Sequence, residues 1–465
     1  MCLRPGREQR GCRCEVAFEM REMRPWRLVI VGGALLAAGC QIIAGVRADA
    51  ELNQGGDGGQ ACGASFECPS GVCQDGVCRP AEAKCALDLE PFDILTYDDL
   101  RGHEIDTSSL VLASGPDRVF ASIIDKTASR LVIGTVHELG EPAGSKAEFP
   151  FTDGAAFVTG RESGGQVILQ GRVGYEIGQL VFPTTADGVS SEGTFQRFPA
   201  LAPECSSPNV AASMAFVQAG DNTLYAATCA APGGSTRALV VGGSAEPAPT
   251  LVAQGPRTDA SLNVHYYTVT NGQHLLLLDD KATGEAFFRT GASRADLGVA
   301  HQIQFSPSPD EVESFFGAFP LPEGDGVTLL IVHLVPPPRL ALSAEVGVVR
   351  DFLSLGQVPP PGFVPVFKLQ NVNQYNPPGP VASDGENVYL TLVPPPGKSV
   401  SLGWFTRTGE NVLPNQPVFA LPDGSSAQIL GSTVAQLGVK LLVAWIEQRD
   451  GAYAVRGQRL ICTLQ

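Results

Sequence analysis

Charge is scarce in this chain. Charged residues make up 17% of it, against about a quarter in an average domain. Positive charge is scarcer still, with 32 Lys and Arg against 48 Asp and Glu and a formal net charge of −16. Phosphate binding needs clustered cations, so DNA, RNA and charge-driven attachment to anionic lipid are excluded as partner classes. Long amphipathic helices are missing too. The one helical pattern is Ser308 to Phe316, where Ser308 can cap, Pro309 suits the first turn and Glu311 completes a capping box. It predicts a single short helix.

Contiguous catalytic signatures are also lacking. The six histidines (His103, His137, His265, His274, His301 and His333) show no HxxxH, HExxH or HxH spacing, which leaves a local metal site unsupported. The chain has no G-x-S-x-G elbow, no phosphate-cradling loop and no dinucleotide-binding fingerprint. Asp279-Asp280 and Asp384-Gly385-Glu386-Asn387 lack the alternating Asp spacing of a calcium loop and read as solvated turns. We therefore expect no cofactor, no metal and no enzyme activity. A site assembled from several distant strands is invisible to motif reading, and His265-Tyr266-Tyr267 is the first place to look for one. On a strand, one of those tyrosines packs and the other faces out.

Hydrophobic residues form 44% of the 465, ample for a core, so disorder is excluded as the main state. Near the N-terminus Met23-Arg24-Pro25-Trp26-Arg27 is a short basic segment followed by an apolar run from Leu28 to Ala38. Eleven residues span about 16 Å as a helix, too short for a bilayer and suited to a signal peptide. Residues 1–22, with Cys2, Cys12 and Cys14, fit no targeting pattern, so Met23 is the expected true start and 1–39 the signal segment. The run ends in Leu35-Leu36-Ala37-Ala38-Gly39-Cys40, which resembles a bacterial lipobox with Ala37 in place of the preferred Leu. The resemblance implies cleavage before Cys40 and its acylation, with anchorage in the lipid bilayer through acyl chains. Gln41, not Asp, follows the cysteine, which in such lipoproteins implies the outer membrane, facing either the periplasm or the surface. The alternative is an ordinary signal peptide, with Cys40 in a disulfide.

Export agrees with the cysteines. If Cys40 carries lipid, Cys62, Cys68, Cys73, Cys78, Cys85, Cys205, Cys229 and Cys462 remain, an even set that reads as four disulfides. Five of them fall between 62 and 85, in a segment too small to bury a core and dependent on cross-links instead. Zinc is the alternative, but the spacing lacks a CxxC pair and a neighbouring His. Cys62–Cys73 with Cys68–Cys78 is one connectivity among several. Ahead of this module Asn53-Gln54-Gly55-Gly56-Asp57-Gly58-Gly59 reads as a flexible tether, so 40–61 is the lipid-anchored linker. The phrase Pro69-Ser70-Gly71-Val72-Cys73 with Asp75-Gly76-Val77-Cys78 resembles the short cysteine-rich modules of exported myxobacterial lipoproteins.

From 86 to 465, turn residues followed by an apolar run recur. Anchored at Val119, Val167, Leu224, Leu275, Thr328, Val388 and Leu441, the repeat steps by 48 to 60 residues. A period near 50 in strand-and-turn sequence fits four strands per unit, the size of a propeller blade, and seven repeats predict an all-β, seven-bladed β-propeller. Tandem sandwiches are the competing architecture, but would show periods near 100 with linkers. Triple prolines at 336–338, 359–361 and 394–396 sit between strand-like runs. The clearest hairpin is Leu441 to Glu447, Asp450-Gly451, then Ala452 to Leu460. It resembles a Trp-containing propeller repeat of exported myxobacterial proteins, with Val400 to Phe405 a weaker echo, and Trp404 and Trp445 read as blade-packing residues. A ring must be held shut, so Cys85 and Cys462 are expected to clasp it, and Cys205 then pairs with Cys229 by exclusion.

Three functions follow. The first is a membrane-anchored binding or scaffold propeller for an unknown protein or glycan partner. The second is an envelope assembly component, resembling the propeller lipoproteins of outer-membrane barrel insertion. Their Asp-Gly-x-x-Tyr-Ala-Leu-Asp phrase is only echoed by Asp221-Asn222-Thr223-Leu224-Tyr225-Ala226. The third is a polysaccharide hydrolase or lyase with a discontinuous channel site. Paired carboxylates in the channel would mark the third, and a lining of apolar and hydroxyl side chains the first.

Overall fold

The structure, a computed structural model, describes residues 73–74, 77–78 and most of 83–464. Left out of that last range are 101–103, 140–142, 200–212, 231–236, 247, 255–261, 271, 281–284, 298–300, 304–311, 321–326, 335–341, 350–363, 371–381, 384–386, 395 and 407–410. The chain divides into two compact units, Met1–Glu82 with Gln465, and Ala83–Leu464. In the first unit the described residues form a two-stranded hairpin that sets Cys73 opposite Cys78.

The second unit is built from antiparallel four-stranded meanders, seven of them among the described residues. The first comprises Val111–Ser114, Arg118–Asp125, Arg130–His137 and Ala143–Pro150, and the second Ala155–Ser163, Gln166–Val173, Glu176–Thr185 and Thr194–Arg197. These two are joined by a short parallel pairing of Ala113 with Gly160 and Ser114 with Arg161. The third runs from Met214 to Gln254, the fourth from Leu262 to Ile303, the fifth from Val312 to Gln370 and the sixth from Ala382 to Ala420. The seventh takes Gln428–Leu437, Lys440–Arg449 and Ala452–Leu464 from the C-terminus and Ala83–Leu87 from the other end of the unit.

The first strand of each meander is its innermost. Innermost strands of successive meanders lie side by side from first to fifth, and again from sixth through seventh back to first. The fifth and sixth approach through Val364–Gln370 and Asn411–Ala420. Small sheets arranged face against face around an axis make this a β-propeller. All seven repeat anchors fall in the second strand of their meander. The recurring turn before each anchor is therefore the hairpin between first and second strands, and it carries left-handed glycines at Gly165, Gly220, Gly272 and Gly438.

Strand alternation explains why the second strands are nearly unbroken apolar runs. In Lys440–Arg449, Leu442, Ala444 and Ile446 pack with Val119, Ala121 and Ile123 of the first meander. The intervening Leu441, Val443 and Trp445 pack with Val400, Leu402 and Trp404 of the sixth. In the third meander Leu224 and Ala226 face Leu276 and Leu278 of the fourth, while Tyr225 and Ala227 face Ile177 of the second. A sheet buried on both faces needs apolar side chains at every position, as a strand in a parallel sheet does. Both tryptophans serve this packing: Trp445 is 0% and Trp404 2% exposed. Trp445 stacks on Phe419 at 4.5 Å.

The expected clasp is present. Ala83–Leu87 pairs antiparallel with the last strand and brings Cys85 opposite Cys462, where the two form a disulfide across 377 residues of chain. The pairing strand straddles the expected 85/86 boundary, so it belongs to the propeller and not only to the cysteine-rich module. Gln416 of the sixth meander adds a two-point contact, accepting from the Cys85 amide at 3.1 Å and donating to its carbonyl at 2.7 Å. The Asp450-Gly451 turn has both residues at positive φ, +52° and +81°, as a tight two-residue hairpin requires.

Two expectations are corrected. Of the helix foreseen from Ser308 to Phe316, residues 308–311 lie outside the described residues and the rest is not helical: Val312–Pro320 is a strand, pairing with Val327–Leu334 through a bulge between Phe315 and Gly317. Sheet pairing overrides a local capping signal when the residues behind it are Val and Phe. A short helix forms instead at Tyr97–Leu100. There Thr96 and Asp99 cap each other, the Thr96 amide donating to Asp99 at 2.7 Å and the Asp99 amide to the Thr96 hydroxyl at 3.3 Å. Second, Asp279-Asp280 is the end of the strand Gln273–Asp280, not a turn. Asp279 is buried, accepting from the Asn263 amide at 2.8 Å and lying 3.0 Å from His265 Nε2.

Candidate functional site: the channel between innermost strands

Innermost strands bring side chains of successive meanders together around the axis. Two cavities open between them. One, of about 240 Å³, is lined by Val111, Leu112 and Ser114 of the first meander, Ala382 and Ser383 of the sixth, and Thr433 to Gln436 of the seventh. Its walls are apolar side chains, hydroxyls and one amide.

The other, of about 260 Å³, lies between the second, third and fourth meanders. It shares Thr159 and Gly160 with the first cavity and adds Arg161, Gln170, Phe216, Gln218 and the run Tyr266 to Thr268. No Asp or Glu lines either cavity among the described residues.

The second cavity is chemically the richer. Arg161 sits on the strand Ala155–Ser163 next to Glu162, but alternation turns the two apart. Glu162 leaves to ion-pair with Arg118 at 2.7 Å. Burial lowers the Arg161 pKa, with no carboxylate acting against it. Opposite, burial raises the Tyr266 hydroxyl to about 12, and a hydrogen bond with Thr268 pulls back only part of the shift. Gln170 donates to Thr223 at 3.3 Å, and Thr223 donates to Gln218 at 3.0 Å, which holds both amides at the wall. Tyr267 points into the core, 1% exposed, with its hydroxyl 2.7 Å from His274 Nδ1. Burial pushes that tyrosine up and the His274 imidazole down, so both are neutral at pH 7. This surface offers hydrogen bonds and one positive charge.

The run His265-Tyr266-Tyr267 thus lies partly at the channel, as suspected, with one tyrosine packed and its neighbour at the cavity. Arg161 was not anticipated, because the adjacent Glu162 makes Arg-Glu read as an ordinary surface pair. Strand period and the presence of Arg118 in the preceding meander are the signal that separates them. Among the described residues no cluster of three or more His, Cys, Asp or Glu could hold a metal ion. Asp384 to Glu386 lie outside the described residues, as do Cys40, Cys62, Cys68 and Cys205. Cys229 is buried and disulfide-bonded.

No protein-family model and no curated protein matches this chain. Solved structures do. An oligogalacturonate lyase in complex with manganese is similar at 8% identity and TM-score 0.50, covering 83% of this chain and 98% of its own. The Cps50 (Swd1) β-propeller domain of Myceliophteria thermophila is similar at 10% identity and TM-score 0.44, covering 78% and 99%. The polysaccharide lyase Uly1 is similar at 9% identity and TM-score 0.43, covering 77% and 91%. At such identities the likeness concerns the fold alone.

Proposed function

We propose that the chain is an exported lipoprotein, anchored in the outer membrane through acylated Cys40, whose seven-bladed propeller is a binding or scaffold module without chemistry of its own. The observation that carries the binding reading is the character of the channel wall. Its described side chains are apolar, hydroxyl and amide groups with a single guanidinium, and no carboxylate stands among them. Glycoside cleavage draws on a pair of carboxyl groups across the scissile bond. A wall of aromatic, hydroxyl and amide groups is suited to holding a polar ligand.

The test uses the full-length protein in detergent, challenged with a panel of soluble polysaccharides and followed for both retention and cleavage. Retention with no new chain ends supports a binding module. Appearance of cleaved product at enzymatic rates overturns it. The anchor is tested separately. Metabolic labelling with a fatty-acid probe is expected to mark the wild type and not Cys40→Ser, and equal labelling of both removes Cys40 as the acylated residue.

A further inference from the structure

We propose that the cavity between the second, third and fourth meanders is a subsite for the carboxylate of a small hydroxylated acid, such as a sugar acid, with Arg161 as its counter-charge. This rests on the binding reading above and adds the chemical class of the ligand.

The chain has a surplus of acid, and its described arginines mostly show it. Arg118 is paired with Glu162, Arg130 with Asp125, Arg456 with Asp93 and Glu447, and Arg459 with Asp88. Arg161 has no such partner among the described residues, though it is partly withdrawn from water and lines a cavity. Holding a cation there costs solvation that no internal anion returns. An acid brought in by a ligand supplies the missing partner, and a guanidinium takes a carboxylate through two parallel hydrogen bonds.

Charge count then selects the anion. One guanidinium balances one negative charge; with no Lys or second Arg lining this cavity among the described residues, a dianionic phosphate or sulfate would leave a charge uncompensated in a poorly solvated site. The rest of the wall selects the body that carries the acid. Tyr266, Thr268, Gln170 and Gln218 present hydroxyl and amide groups, and Phe216 an apolar ring, a mixture suited to a polyhydroxylated ring and not to an aliphatic chain.

The experiment is a titration of the full-length protein in detergent with D-glucuronate, D-glucose, sulfate and phosphate as probes. It includes Arg161→Gln and Arg161→Lys, and Arg172→Gln as an arginine outside the cavity. The expected result is saturable glucuronate binding, weakened at least tenfold in Arg161→Gln, intermediate in Arg161→Lys and unchanged in Arg172→Gln, with sulfate and phosphate at least tenfold weaker than glucuronate. Folding of each variant is verified by its thermal transition. Glucuronate binding unaffected by Arg161→Gln overturns the proposal, as does absence of saturable binding, or sulfate binding as tightly as glucuronate. Glucose binding as tightly as glucuronate, independent of Arg161, overturns the acid subsite but leaves the binding module standing. Cleavage of a bound polysaccharide overturns the module itself.

Discussion

The seam between the first and seventh meanders and the channel wall of the second to fourth treat polar groups in opposite ways. At the seam, buried and half-buried charges are paired with each other. Glu447, with a fully buried side chain, accepts from the Tyr97 hydroxyl at 2.6 Å, from Arg449 at 2.9 Å and from Arg456 at 3.1 Å. Asp88 holds Lys440 at 2.9 Å and Arg459 at 3.2 Å, and Arg459 also donates to the carbonyls of His137 and Glu138. Along the channel, Arg161 stands without an acid among the described residues and Tyr266 keeps its proton. The seam closes a ring whose two ends come from opposite ends of the sequence, so its groups are spent on each other. The wall keeps a guanidinium that no acid among the described residues answers, a compromise between stability and function.

The largest expected difference concerns the clasp. In the chain-entropy view, closing a loop this long contributes up to about 6 kcal/mol, and measured losses for native disulfides run to about 2–5 kcal/mol. Cys462→Ser should therefore lower unfolding free energy in urea by about 3 kcal/mol or more. A loss under about 1 kcal/mol would mean that strand pairing alone shuts the ring.

Next comes the buried carboxylate. Glu447→Ala leaves Arg456 and Tyr97 facing an empty site, and should cost about 3 kcal/mol, less than for a fully buried pair because Arg449 is half exposed. Burial alone would raise the Glu447 pKa, but hydrogen bonds from Tyr97 and Arg456 and the nearby guanidinium charges outweigh it and hold the carboxyl below its ordinary value. Its contribution is therefore present above about pH 4.3 and lost as pH falls through the lower folded value. Acid titration of stability should show the gap between wild type and Glu447→Gln narrowing below about pH 4. A gap that widens there would reverse the sign.

A smaller effect is expected at Gly451, where φ is +81° and nothing crowds the Cβ position. Gly451→Ala should cost about 1 kcal/mol of backbone strain in chemical denaturation, with no change in fold. The smallest is at the channel. Arg161→Gln removes a charge that no acid among the described residues balances, so its thermal transition should lie at or above that of the wild type, in contrast to every seam substitution. A loss above about 2 kcal/mol would place Arg161 among the structural groups and erase the contrast.

Much of the wheel was legible because blade packing writes itself into sequence. A strand covered on both faces must be apolar throughout, so the second strands, with their glycine turns, stood out as a repeat. The clasp followed from the geometry of closure, since Cys85 and Cys462 flank the region that had to be joined. Pairing partners far away in sequence were less legible: Val312 to Phe316 follow a sound helix-capping pattern at Ser308 to Glu311 and form a strand because Val327–Leu334 lies beside them. Asp279-Asp280 looked like a turn because the partly buried Asn263 and His265 that receive Asp279 come from another strand. The channel was least legible. Innermost strands are mixed in character and distant from each other along the chain, so the convergence of Arg161, Gln218 and Tyr266 has no local signature.

The central claim is that a strand from the N-terminal side of the propeller completes the last sheet and locks the ring. Peptide mapping of the unreduced, full-length protein tests it most directly. The account predicts a linked pair of peptides, one carrying Cys85 and the other Cys462, that separates on reduction. Recovery of both cysteines as free thiols, or of either one bonded to a different cysteine, would contradict it.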